Sequence, residues 1–245
     1  MRIFIAGGRG RVGGPLAEVL QQRGVDVVLG GRNDGVDAVT GHGLAEALVG
    51  VDTIVNVLNT NQFDAEAAID FFETTTHNLT AAGESAGVGR HVVLSIVGVG
   101  AGDASANGYY AGKVAQERAL REGPIRSTIV RATQFHGYIP VLAEQFVHDG
   151  KVVGSPSLIQ PVELSEVVAL LAEVATSPEV DDVVEIAGPD RFHLDDLLRA
   201  TLAANGDPRE VITADDDGAP DALVPRGPHR TGTVRYPVPG IPTVD

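Results

Sequence analysis

The chain has 245 residues, 43% of them hydrophobic, no cysteine, and a formal net charge of −15 from 18 basic and 33 acidic side chains. At roughly 150 residues per domain this is one or two globular domains. The missing thiols exclude disulfides, cysteine nucleophiles and thiolate metal sites, and fit a reducing compartment. The acidic balance argues against nucleic acid and against an anionic membrane as partners.

Met1–Ala6 is too short an apolar run for a leader. The run from Val92 to Gly102, broken by Ser95, falls well short of the about 20 residues a span needs. A soluble cytoplasmic protein, monomer or homodimer, is expected. In chain order, Ile3–Ala6 predicts a strand and Pro15–Leu20 a helix. Val25–Leu29 predicts a strand, Val36–Thr40 a weak edge strand and Leu44–Leu48 a short helix. Thr53–Leu58 predicts a strand, Ala65–Ala82 a long helix, His91–Val99 a strand, Gly108–Arg121 a helix and Ser127–Arg131 a strand. Residues 133–162 are mixed. Ser165–Ala175 and Leu194–Ala204 predict helices, Val183–Ala187 and Glu210–Thr213 strands. Residues 214–245 form either a loop wrapped on the body or a partly disordered tail. Such alternation predicts α/β architecture: a doubly wound parallel-sheet Rossmann fold with a small C-terminal substrate lobe. Its expected core is 1–132. The lobe is 133–245, with 165–187 returning to the core.

The first strand runs into Gly7-Gly8-Arg9-Gly10-Arg11-Val12-Gly13 and then a helix. Glycines at this spacing make a tight turn, let backbone N–H groups approach a pyrophosphate, and let helix and strand pack closely. A dinucleotide is therefore expected at the helix N-terminus. The second strand ends in Leu29-Gly30-Gly31-Arg32-Asn33. A guanidinium there suits a 2′-phosphate, so NADP(H) is favoured over NAD(H), although Asp34 or Asp37 could still reach a ribose. Residues 1–32 hold five arginines and two acids, a local +3 in an acidic chain.

Only two lysines occur, Lys113 and Lys151. Lys113 lies one helical turn after Tyr109, a pairing expected by chance about 0.03 times with four tyrosines and two lysines. Carbonyl reduction needs a proton on oxygen, and a phenol with a reference pKa of about 10 needs a neighbouring ammonium to work near neutrality. Ser95, near the end of the preceding strand, supplies a hydroxyl to position a carbonyl. Tyr110 competes with Tyr109 as proton donor. The seven histidines show no metal-ligand spacing. His136 is placed near substrate, His193 at a helix N-terminus, and Asp215–Asp217 in a solvated turn. No Gly-x-Ser-x-Gly elbow is present.

The glycine loop, His91–Ser95, Tyr109 with Lys113, and Ile129–Phe135 together resemble the atypical short-chain dehydrogenase/reductases, above all the NmrA-like NAD(P)H-binding group. Asn78-Leu79, Gly87-Val88 and Glu185–Pro189 also resemble that group, so the likeness runs to about residue 212. It implies that Gly7, Gly10, Arg11, Val12 and Gly13 hold the pyrophosphate, and Arg32 with Asn33 the adenosine phosphate. Leu58, Asn59 and Thr60 would flank a ribose, and Ala132, Thr133 and Gln134 would approach the nicotinamide. Ser95, Tyr109 and Lys113 would be catalytic, and Tyr110, Phe135 and His136 would face substrate. The family's catalytic asparagine slot falls near Phe72, not Asn78, and Ala132 stands where many relatives carry proline. The implied activity is an NADPH-dependent reductase of a small to medium hydrophobic carbonyl or quinone. The lysine-poor, Ala/Gly/Val-rich texture points to a GC-rich bacterial gene and, with it, a secondary-metabolite intermediate such as a polyketide. The alternatives are a non-enzymatic NADP(H) sensor and an NAD(P)-dependent isomerase or cyclase.

Overall fold

The computed structural model describes residues 1–61, 64–100, 108–178, 182–215 and 223–244. The elements run β1 (Arg2–Ala6), α1 (Gly13–Gln22), β2 (Asp26–Gly30), α2 (Leu44–Ala47), β3 (Thr53–Asn56), α3 (Ala65–Ala86) and β4 (Arg90–Ile96). They continue with α4 (Gly108–Glu122), β5 (Ser127–Ala132), α5 (Ile139–Gln145), β6 (Val147–His148), β7 (Lys151–Gly154) and β8 (Leu158–Ile159). The last are α6 (Leu164–Thr176), β9 (Val183–Ala187), β10 (Phe192–His193), α7 (Leu194–Ala204), β11 (Val211–Thr213) and β12 (Arg230–Thr231). Among the described residues the main sheet has seven strands in the order β12-β9-β5-β4-β3-β1-β2. Its β1–β2, β1–β3, β3–β4 and β9–β12 pairs are parallel. This is the doubly wound Rossmann arrangement, in which β1 from Ile3 onward and all of β3 are buried because both faces of a parallel sheet are covered.

The edge strand expected at Val36–Thr40 does not form. Its backbone donors turn inward instead: Val36 to the Gly31 carbonyl, Asp37 to the His42 carbonyl and Val39 to the Asp37 carboxylate at 2.8 Å. Asn78 then donates to the carbonyls of Ala38 and Val39 at 3.0 and 2.9 Å. With its polar backbone groups spent on turns and a side-chain clamp, the segment has none left for a ladder.

Two compact units divide the chain: Met1–Ser95, Asp103–Arg131 and Val168–Val184 form the first, and Ile96–Gly102, Ala132–Val167 and Glu185–Asp245 the second. The first unit's core joins Phe4, Leu44, Leu48, Ile54, Leu79 and Ile125. There α3 starts on Asp64, whose carboxylate accepts the Ala67 amide at 3.0 Å. In the second unit Ile139, Ile159, Phe192, Leu197 and Tyr236 pack together. The described part of the tail, 223–244, is wrapped rather than loose. Tyr236 is buried with its hydroxyl 2.9 Å from Thr201 Oγ1, Arg235 pairs with Asp190, and Glu166 Oε1 accepts the Thr233 hydroxyl at 3.0 Å. Among the described residues no helix is long and apolar enough to cross a membrane. Asp216 and Asp217 lie outside the described residues.

Candidate cofactor and active site

In the first unit the C-terminal ends of β1, β2 and β3 open onto one loop cluster, the edge where doubly wound sheets bind ligands. Gly7 takes φ +83°, and its Cα lies against the Val57 and Leu58 backbone that leaves β3. A Cβ on Gly13 would strike the Gly7 carbonyl, so α1 can begin this close to β1 only with glycine there. Gly8 and Gly10 donate into the turn, to Ile5 and Gly7 carbonyls at 3.1 and 2.9 Å. Among the described residues the amides of Arg11, Val12 and Gly13 take no backbone partner, and no side chain caps the helix at Val12. Unpaired N–H groups on a helix N-terminus form a cradle that fits a pyrophosphate.

Arg32 and Asn33 are exposed in the 3₁₀ turn Arg32–Asp34 that follows β2. Asp34 is taken by Arg9: Nε and Nη2 both donate to its Oδ1, at 2.8 and 2.5 Å. The positive patch read from residues 1–32 is therefore smaller than its count. Arg9 is spent on Asp34, and Arg2 is 3.3 Å from Asp26. Arg23 closes the far end of α1, leaving Arg11 and Arg32 at the site. At the end of β3, Asn56 is fully buried and its Oδ1 accepts the Leu58 amide at 3.1 Å, while its Nδ2 has no partner among the described residues. Leu58 and Thr60 are half-buried and Asn59 exposed.

Tyr109 and Lys113 share one face of α4, the Lys113 Nζ lying 5.8 Å from the Tyr109 ring centre and 4.2 Å from that of Phe72. The Tyr109 ring meets Phe72 and Tyr110 edge to face. Lys113 is only 3% exposed; it donates to the Leu94 carbonyl at 3.0 Å and to Gln116 Oε1 at 2.8 Å. Burial pushes its pKa down to about 7, against the opposing charge of Glu117. Ser95 donates its hydroxyl proton to Glu117 Oε1 at 2.7 Å. Glu117 in turn accepts from Arg131 Nε and Nη2, at 2.8 and 2.6 Å, and from Arg121 at 2.9 Å. Burial alone would raise the Glu117 carboxyl. The bonds from Arg131 and Ser95 and the two guanidinium charges outweigh it and hold the group below the usual carboxylate range. Phe72 lies as an aromatic floor under the ammonium, while Asn78 serves the 38–39 turn.

The segment after β5 belongs to the second unit. Ala132, Thr133 and Gln134 are buried, with Thr133 Oγ1 and Gln134 Oε1 lacking a protein partner; Phe135 is half-buried. His136 lies with Nδ1 3.1 Å from Glu163 Oε2, Nε2 3.2 Å from the Pro161 carbonyl, and its ring on the Tyr236 edge. His193 stands at the N-cap of α7, its Nδ1 2.6 Å from the Pro156 carbonyl. Among the described residues no cluster of metal-ligating side chains occurs. Sequence reading missed Glu117, Asn56 and the Arg9–Asp34 pair. Only Glu117 carried a signal, its place one turn after Lys113.

The fold defines a doubly wound, Rossmann-type α/β protein. No protein-family model and no curated protein matches the chain in sequence. Solved structures do match in fold. The Bordetella bronchiseptica enzyme WbmG in complex with NAD aligns at TM-score 0.71 and 18% identity, over 92% of this chain and 85% of its own. A short-chain dehydrogenase/reductase superfamily protein from Agrobacterium tumefaciens with bound NAD aligns at 0.66 and 17%, over 88% and 85%. A dTDP-4-dehydrorhamnose reductase from Clostridium acetobutylicum aligns at 0.69 and 15%, over 96% and 90%. At such identities the likeness establishes the Rossmann-like α/β fold alone.

Proposed function

We propose that this chain is an NADPH-dependent reductase of a small to medium hydrophobic carbonyl or quinone, placed by its sequence segments among the NmrA-like proteins. The observation that carries the reading is Tyr109 stacked beside the buried Lys113 ammonium, in the same unit as the Arg11–Gly13 amide cradle. The bound cofactors and reductase activity named for structures of this fold support it. The amides of Arg11, Val12 and Gly13 hold the pyrophosphate. Arg32 holds the 2′-phosphate, since Arg9 already neutralises Asp34. Leu58, Asn59 and Thr60 flank a ribose. When bound, the dinucleotide supplies hydride to the carbonyl carbon. Tyr109 gives its phenolic proton to the carbonyl oxygen, and Lys113 stabilises the phenolate left behind. While Ser95 donates to Glu117 it meets a ligand only through its lone pairs, as an acceptor.

That commitment of Ser95, and the enclosure of Lys113, favour one second reading: a protein that binds NADP(H) as a sensor without turnover. Loss of NADPH absorbance, followed with quinones, ketones and keto-sugar nucleotides, separates the two. Turnover that falls about 10²–10⁴-fold in Tyr109→Phe, and survives in Tyr110→Phe, is expected of the reductase. Tight NADPH binding with no turnover on any of these compounds favours the sensor.

A further inference from the structure

Lys113 is enclosed on every side. Phe72 from α3 lies under its Nζ, Tyr109 and Gln116 flank it on α4, and the Leu94 carbonyl meets it from β4. Of these neighbours none carries a negative charge. The carboxylate next in line is Glu117, one residue beyond Gln116, 1% exposed, and fixed by Ser95 from β4, Arg131 from β5 and Arg121 from its own helix. The carboxylate is held by a hydroxyl and two guanidiniums, and Glu117 and Lys113, one helical turn apart on α4, meet adjacent residues of β4, Ser95 and Leu94. We propose that Glu117 is the positioning residue for Lys113: the fixed anion that keeps this enclosed amine charged beside Tyr109.

The proposal rests on the reading of Lys113 as the partner of Tyr109, but the charge relation is testable without turnover. The charges of Arg131 and Arg121 oppose that of the carboxylate. Removing Glu117 takes away the anion while both guanidinium charges remain, and both facts act on Lys113 in the same direction. Burial already depresses this amine, with Glu117 opposing.

Only two lysines exist, and Lys151 is half exposed in a surface pair with Glu210. Full-length protein labelled with ¹³Cε-lysine therefore gives two resonances, and a pH titration reads Lys113 directly. In Glu117→Gln the Lys113 midpoint is expected to fall by about one pH unit or more relative to wild type, with Lys151 unchanged. A Lys113 midpoint that stays put or rises overturns the proposal. Should Glu117→Gln not fold, Glu117→Asp keeps the charge and is expected to hold the midpoint within a few tenths of a pH unit; a fall of a full unit there overturns the proposal by itself. Because the readout needs no cofactor, absence of turnover in the wild type would count against the reductase and leave this result standing.

Discussion

Cofactor choice is decided by single residues. Asp34 sits where an acidic side chain would hold a ribose diol, yet its Oδ1 is occupied by both Nε and Nη2 of Arg9. Arg32, two positions earlier, is exposed and makes no ion pair among the described residues. A hydrogen-bonded charge contact is worth about 1.5–3 kcal/mol. Arg32→Ala should therefore weaken NADPH binding by roughly tenfold or more and leave NADH binding nearly unchanged, as measured by fluorescence titration. A wild type that binds NADH more tightly than NADPH would refute the assignment of Arg32. The charge of Arg32 was legible in the sequence; the neutralisation of Asp34 was not, because the two partners are 25 positions apart and meet only when the glycine loop and the turn after β2 fold onto the same edge.

At the scale of elements, α4 is the part on which the candidate chemistry depends, and α3 sets where it lies. The two helices approach so closely that a Cβ on Gly112 would sit 2.7 Å from the Phe72 ring and 2.9 Å from the Ala68 carbonyl. This contact brings Phe72 under Lys113. Overpacking of this kind costs about 1–3 kcal/mol. Gly112→Ala should lower the denaturant midpoint accordingly, and any displacement of Phe72 should appear as a changed Lys113 resonance; unaltered stability would show that α3 and α4 have room to part. Helix and strand periods predicted both elements to within a few residues. They failed at Val36–Thr40, where Asn78 from α3 and local turns take the backbone groups that a strand would have used.

For the whole molecule, the −15 charge and the local arginines pull in opposite directions. Self-repulsion destabilises a compact acidic chain, and salt screens it with a Debye length of about 10 Å at 0.1 M. Added sodium chloride should raise the thermal midpoint of the free protein while weakening NADPH binding at Arg11 and Arg32. Equal salt responses of stability and affinity would contradict this division of charge.

Composition and the strand and helix periods by themselves determined the α/β class and the order of most elements up to β5, and the Gly7–Gly13 spacing and the Tyr109–Lys113 turn named the residues on which the proposed function rests. These are local properties, written in residues a few positions apart. The tertiary structure alone decided which charges remain available. It spent Arg9 on Asp34, committed Ser95 to Glu117, enclosed Lys113 over Phe72, and buried Tyr236 of the tail beside Thr201. Each pairing joins segments far apart in the chain. Whether a charged or polar group is open to a ligand depends on which distant partner folding brings within about 3 Å of it.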